Sequence, residues 1–218
     1  MKFQVKTSAA SQQRTACAIV PIYSGGELTT TARSLDAASG GLITRAIKNG
    51  DIKGDAGELL LLTGTGDLHC QRILLVSLGA KAKLDRKTWR KATRGALAAV
   101  ARSKYTEAVF HLTAEAVRDA DAYRRARLAV EIWLEVSYRF TAMKSEPGDK
   151  SPTLQTLSAG GRENWLQRRA ATVEACTAHL ELLSPPLTAV WKVPLVACHH
   201  RILDNLPMHR GGSRASLE

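Results

Sequence analysis

Arg72-Ile73-Leu74-Leu75-Val76-Ser77-Leu78-Gly79, with Asp85-Arg86-Lys87-Thr88-Trp89-Arg90-Lys91-Ala92 a few residues on, decides how this chain folds. The first stretch is a short apolar run closed by glycine, which is how a strand covered on both faces of a sheet reads. The second opens the segment from Asp85 to Ser103, where Trp89, Ala92, Ala96, Ala99 and Val100 recur every three or four residues. That spacing turns one stripe of a helix toward a core. Ala108 to Leu112 follows and reads as the next strand. Strand, helix and strand in this order build a sheet with helices laid on it.

Working outward, Leu59 to Leu62 is a second continuous apolar run between Gly57 and Gly64, and the two runs are expected to be the central strands. Toward the amino terminus, Lys2 to Lys6 alternates polar and apolar and Ala16 to Tyr23 is apolar, so both read as strands. Leu28 to Ala38 carries Leu28, Ala32, Leu35 and Ala38 at helical spacing. Gly40-Gly41 breaks it before a short helix through Leu42, Ile43, Ala46 and Ile47, which Asn49-Gly50 ends in a turn. Toward the carboxyl terminus, Ala122 to Ser137 repeats the helical pattern, and Pro147, Gly148 and Pro152 mark a polar loop. Thr153 to Ala159 then reads as a last strand and Asn164 to Leu183 as a last helix. The expected fold is α/β, a mixed central sheet flanked by helices in a three-layer sandwich, over residues 1–183. From Ser184-Pro185-Pro186 to Glu218 the character changes, and that tail is expected to be irregular.

The chain has 218 residues, enough for one α/β domain with a substantial core. Its 44% hydrophobic and 23% charged residues are those of a globular chain, which excludes disorder throughout. No apolar run approaches the roughly 18 residues of a membrane span, and the start Met1-Lys2-Phe3-Gln4-Val5-Lys6 has no apolar signal core, so a cytoplasmic location is expected with no membrane partner. Cys17, Cys70, Cys176 and Cys198 show no CxxC spacing and read as buried thiols in a reducing compartment. A formal charge of +11 and a pI of about 9.8 suit a negatively charged partner such as nucleic acid.

The early part of the chain carries a resemblance. Cys17-Ala18-Ile19-Val20 leads into Leu28, then Leu35-Asp36-Ala37-Ala38-Ser39-Gly40-Gly41-Leu42-Ile43, then Gly50-Asp51-Ile52-Lys53-Gly54 and the strand from Leu59. Together with Arg72 to Gly79 and the helix Arg127-Leu128-Ala129-Val130-Glu131 before Tyr138-Arg139-Phe140, this progression is similar to the amino-terminal domain of leucyl (cytosol) aminopeptidases, over about residues 1–160. The resemblance implies a macro-domain-like fold that contributes to hexamer architecture. It also implies a structural or regulatory role, with assembly into homo-oligomers or with full-length aminopeptidase subunits.

In that family a carboxy-terminal domain releases amino-terminal residues from peptides with two divalent metals, manganese or zinc, which activate water and hold the amide carbonyl. The family's run Asn-Thr-Asp-Ala-Glu-Gly-Arg stands nowhere in this chain, so no catalytic or metal-binding residue is carried over and no cofactor is expected here. The resemblance stops between Gly160 and Leu183, and Asp204-Asn205-Leu206-Pro207 is a faint echo of the crossing into the catalytic domain. A frameshift or truncation there is one hypothesis. It fails if neither other forward frame of the gene encodes aminopeptidase-like sequence downstream.

The candidate site residues are basic. Arg86, Lys87, Arg90, Lys91 and Arg94 fall on about 140° of one helix face, opposite Trp89, Ala92 and Ala96, with only Asp85 near. They read either as a solvated face or as a DNA-binding stripe that displaces counterions from phosphates. Some bacterial members of the family are DNA-binding accessory proteins, an analogy in favour of the second. Arg124, Arg125 and Arg127 read as a surface cluster partly cancelled by Asp119, Asp121 and Glu131. Cys198, His199, His200 and His209 match no closed zinc spacing, and Gly64-Thr65-Gly66 and Gly40-Gly41 complete no phosphate-binding pattern and read as turns. His69 and Cys70 are adjacent, so their side chains point apart and form no nucleophile pair.

Overall fold

The computed structural model describes residues 2–66, 68–138 and 153–160. Six strands, β1 (Lys2–Lys6), β2 (Cys17–Ile22), β3 (Leu59–Leu62), β4 (Ile73–Ser77), β5 (Glu107–Phe110) and β6 (Thr156–Gly160), form one sheet in the order β1-β6-β5-β2-β4-β3. All neighbours are parallel except β3, which runs antiparallel to β4. Four helices accompany it: α1 (Thr30–Ala38), α2 (Leu42–Lys48), α3 (Arg86–Arg102) and α4 (Ala122–Ser137).

Alternation along the strands sends side chains to two separate cores. Ala18, Val20 and Ile22 of β2 join Ile73 and Leu75 of β4 against Ala32, Leu35 and Ile43 of α1 and α2. Cys17, Ile19, Leu74, Val76, Ala108 and Phe110 point the other way, against Trp89, Ala96 and Leu97 of α3 and Ala129 and Trp133 of α4. Helices on both faces of a mixed sheet make the three-layer sandwich that the sequence leads one to expect. Trp89 anchors the α3 side: its ring meets Phe110 edge-on at 6.2 Å and its indole N–H donates to the Leu112 carbonyl at 3.1 Å. Cys17 and Cys70 are buried on opposite faces of the sheet and are free thiols, with burial pushing the Cys17 thiol up to about 12.

Several boundaries differ from the sequence reading for local reasons. Helix α1 starts at Thr30, because Thr29 is its cap, accepting from the Ala32 N–H at 3.2 Å, and Leu28 pairs instead with Ile22. β5 ends at Phe110, and Leu112 lies in a short 3-10 turn that follows it. β6 spans Thr156–Gly160 in place of Thr153 to Ala159. The larger correction concerns Leu59 to Leu62, which form the edge strand and not a central one. Apolar character along a run reports what the side chains prefer, not how many neighbours the backbone has; Leu61 stays 45% exposed. The expected helix Asn164 to Leu183, the tail from Ser184, Cys176 and the Cys198, His199, His200 and His209 group lie outside the described residues.

Candidate functional site

Helix α3 is set by its ends. The Asp85 carboxylate accepts the Thr88 N–H at 2.8 Å, which caps the helix and holds that carboxyl below its usual pKa range, while Ser103 closes the other end. Between them Trp89, Ala92, Ala96, Leu97 and Val100 are buried, and Arg86, Lys87, Arg90, Lys91 and Arg94 are all exposed on the opposite side.

The structure divides these five cations. Arg90 Nη2 lies 2.8 Å from Glu135 Oε1 and Arg94 Nη1 lies 2.7 Å from Oε2, so one carboxylate of α4 holds two guanidinium groups. The expectation that only Asp85 stands nearby is therefore corrected: Glu135 is far away in sequence and one helix away in space. Arg86 and Lys87 occupy the first turn of α3, where the helix dipole disfavours cations. Lys91 lies toward Gly57, at the start of the edge strand.

The second basic cluster is not a surface feature throughout. Arg125 is 7% exposed, its Nε donating to the Thr113 carbonyl at 2.9 Å and its Nη1 to the Ala120 carbonyl at 2.8 Å. Its long stem lets a charge with i+4 helical periodicity bury beside the loop after β5, which residue type alone does not reveal. Arg127 pairs with Glu131 at 2.9 Å, both largely covered, and Asp121 caps α4 by accepting the Arg124 N–H at 2.7 Å.

Other polar groups gather where the parallel strands end. The Tyr23 hydroxyl donates to Glu115 Oε2 at 2.6 Å across the gap between the loops after β2 and β5, and burial together with that carboxylate pushes the phenol pKa up. Lys81 stands 5.5 Å from the centre of the Tyr23 ring and 2.8 Å from Glu27. His111 is fully enclosed, with desolvation pushing its pKa down to about 4, and its ring lies against Gly160 so closely that no side chain fits there. Neither Tyr23–Glu115 nor His111 stands out in the sequence, since Tyr23 and His111 lie in or beside strand-like runs and Glu115 is a lone carboxylate far from Tyr23 along the chain.

The glycine loops are turns. Gly40 and Gly41 adopt φ of 66° and 81°, and the Gly41 N–H donates to the Asp36 carbonyl. The Thr65 hydroxyl donates inward to the Cys70 carbonyl at 2.6 Å. His69 is exposed and Cys70 buried, pointing apart. No three His, Cys, Asp or Glu side chains converge as a metal-ligand set among the described residues. No helix among them is long and apolar enough to cross a membrane.

Residues 19–147, more than half of the chain, match the cytosol aminopeptidase family, N-terminal domain. The chain belongs to this family. It is 39% identical over 149 residues to a probable cytosol aminopeptidase of Stutzerimonas stutzeri (strain A1501), covering 68% of this chain and 30% of that protein. It is 37% identical over 161 residues to a probable cytosol aminopeptidase of Alkalilimnicola ehrlichii, covering 73% and 32%. This cytosol aminopeptidase family N-terminal domain therefore spans about a third of the length of the curated relatives it matches. In fold it is similar to a tomato leucine aminopeptidase mutant, with TM-score 0.59 and 20% identity over 94% of this chain and 42% of that one. It is also similar to a Trypanosoma brucei macrodomain, with TM-score 0.58 and 14% identity over 80% and 66%. The sandwich is thus macrodomain-like, as the resemblance implies.

Proposed function

We propose that this chain is a non-catalytic, structural or oligomerising domain, working beside aminopeptidase subunits whose hydrolytic machinery lies in the part of the family it does not match. The observation that carries the reading is the extent of the likeness: it ends with the family's amino-terminal domain and leaves about two thirds of each relative unmatched. The domain is taken to run to about residue 183, with 184–218 as a divergent tail. The two divalent metals of the family belong, on this reading, to the part of the relatives that this chain does not match. A leucyl-amide hydrolysis assay with manganese and with zinc, run beside a full-length relative, tests it. No turnover by this chain is expected, together with co-elution of the chain with the full-length protein. Chelator-sensitive turnover that scales with this chain overturns the reading.

A second reading, DNA binding by α3, is favoured by Arg86 and Lys87, which stand in the first turn at a cost to helix stability that a bound phosphate would offset. Glu135 removes one charge from the five, and leaves Arg86, Lys87 and Lys91 as the strongest contributors. Reversing Arg86 and Lys87 to Glu is expected to weaken DNA binding and flatten its salt dependence. An unchanged salt slope rules out this face.

A further inference from the structure

We propose that two copies of this chain pair through β3, antiparallel across a two-fold axis, to join their sheets edge to edge. The inference deepens the oligomerising role proposed above and rests on it for biological meaning, though not for its geometry. The two edges of the sheet differ. β1 carries Lys2 and Lys6 at its ends, and charged edges of this kind block pairing with another chain. β3 is four leucines, with no proline and no charge from Leu59 to Gly66. Leu61, 45% exposed, is one of two large apolar side chains exposed among the described residues.

The backbone fixes the register. The Ser77 N–H donates to the Glu58 carbonyl at 2.9 Å and the Ser77 carbonyl accepts from Gly57 at 2.8 Å, so Glu58 turns its carbonyl toward β4. Residues of an antiparallel strand alternate in this respect, so Leu60 and Leu62 also face β4, while Leu59, Leu61 and Thr63 turn their N–H and C=O outward. A strand that presents donors and acceptors in this pattern is complementary to its own antiparallel copy. Placing Leu61 opposite the second copy's Leu61 makes that residue a doubly hydrogen-bonded pair, sets Leu59 against Thr63, and keeps each face of one sheet continuous with the same face of the other.

Charge selects the same edge. A chain of formal charge +11 repels its copies, and the run from Leu59 to Gly66 is a stretch where they can meet without opposing cations. In this register Glu58, the charge that precedes the run, faces the uncharged Gly64 of the other copy, and its carboxylate is already taken by the N–H groups of Lys53, Gly54 and Asp55. Lys91 lies beside Gly57, so the two-fold axis sets the two Lys91 side chains at opposite ends of the seam, roughly 26 Å apart along it and beyond the screening length.

Sedimentation velocity of the full chain over a wide range of concentration tests the pairing. A monomer–dimer equilibrium is expected. Leu61→Lys should weaken it at least tenfold, since each dimer carries the charge twice. Thr63→Pro, which removes an outward N–H and leaves the β4 ladder intact, should weaken it as well, with far-UV circular dichroism unchanged in both. With Cys176 and Cys198 replaced by Ser, Leu61→Cys should oxidise to a disulfide-linked dimer and Leu60→Cys should not, because only residue 61 meets itself. A chain that stays monomeric throughout, or a dimer indifferent to both Leu61→Lys and Thr63→Pro, overturns the β3 seam. Co-elution with a full-length relative that persists in Leu61→Lys leaves the oligomerising reading standing without it, whereas a β3 dimer that never co-elutes leaves the seam and removes the reading.

Discussion

Burial alone holds His111 neutral. Desolvation lowers its pKa from 6.5 to about 4, and its ring occupies the space that a Cβ on residue 160 would need, which Gly160 leaves open. The sign follows from where the proton goes. As pH falls from 6.5, the unfolded chain takes up the proton first, so the stabilisation is complete above pH 6.5 and is lost on the way down to about pH 4. The gap is worth roughly 3 kcal/mol. Urea unfolding at pH 7 and pH 5 should show the wild-type chain losing stability, and His111→Gln should flatten that part of the profile; an equal loss in both assigns the effect elsewhere. Arg125 is the opposite case, a permanent charge that lies inside and donates to the carbonyls of Thr113 and Ala120.

At the scale of elements, α3 and α4 both start at an aspartate whose carboxylate accepts from the third residue on. Asp85 has the greater task, because Arg86 and Lys87 follow it where the dipole disfavours them. Asp85→Ala is expected to cost about 1 kcal/mol at neutral pH, read from the denaturant midpoint. Protonating Asp85 should remove part of the same contribution, but only in acid, since its pKa is held low by the Thr88 N–H. These helices were legible because caps, stripe and length agree: Asp85, Trp89, Ala92, Ala96 and Ser103 give one answer. β3 was legible as a strand and illegible as an edge, because strand order is a property of pairing partners that four leucines do not encode. The site was legible only in part for the same reason. The five cations of α3 follow from periodicity, whereas Glu135 and the buried Arg125 depend on how α4 lies against α3 and the loop after β5.

For the molecule as a whole, the two cores share the sheet. Ala18 and Val20 face one core and Cys17 and Ile19 the other along the same strand, so neither layer of helices can lose its packing without disturbing β2. Native-state hydrogen exchange should therefore give the β2, β4 and β5 amides one common opening free energy, equal to that of global unfolding, with the Leu60 amide at the edge opening earlier. Separate limiting values for β2 and β5 would show that the two layers unfold independently.

The pairing of β1 with β6 has a consequence for the order of events during synthesis. Lys2 to Lys6 emerge ahead of the other five strands, yet their partners are Thr156 to Gly160. At ordinary elongation rates the first strand waits about 10 to 30 s before its neighbour exists. Until then Phe3 has no β6 to pack beside, and Lys2 and Lys6, which guard the finished edge, are also what keeps the nascent strand from pairing with the wrong one. The strand made earliest is thus among the last to find its place in the sheet.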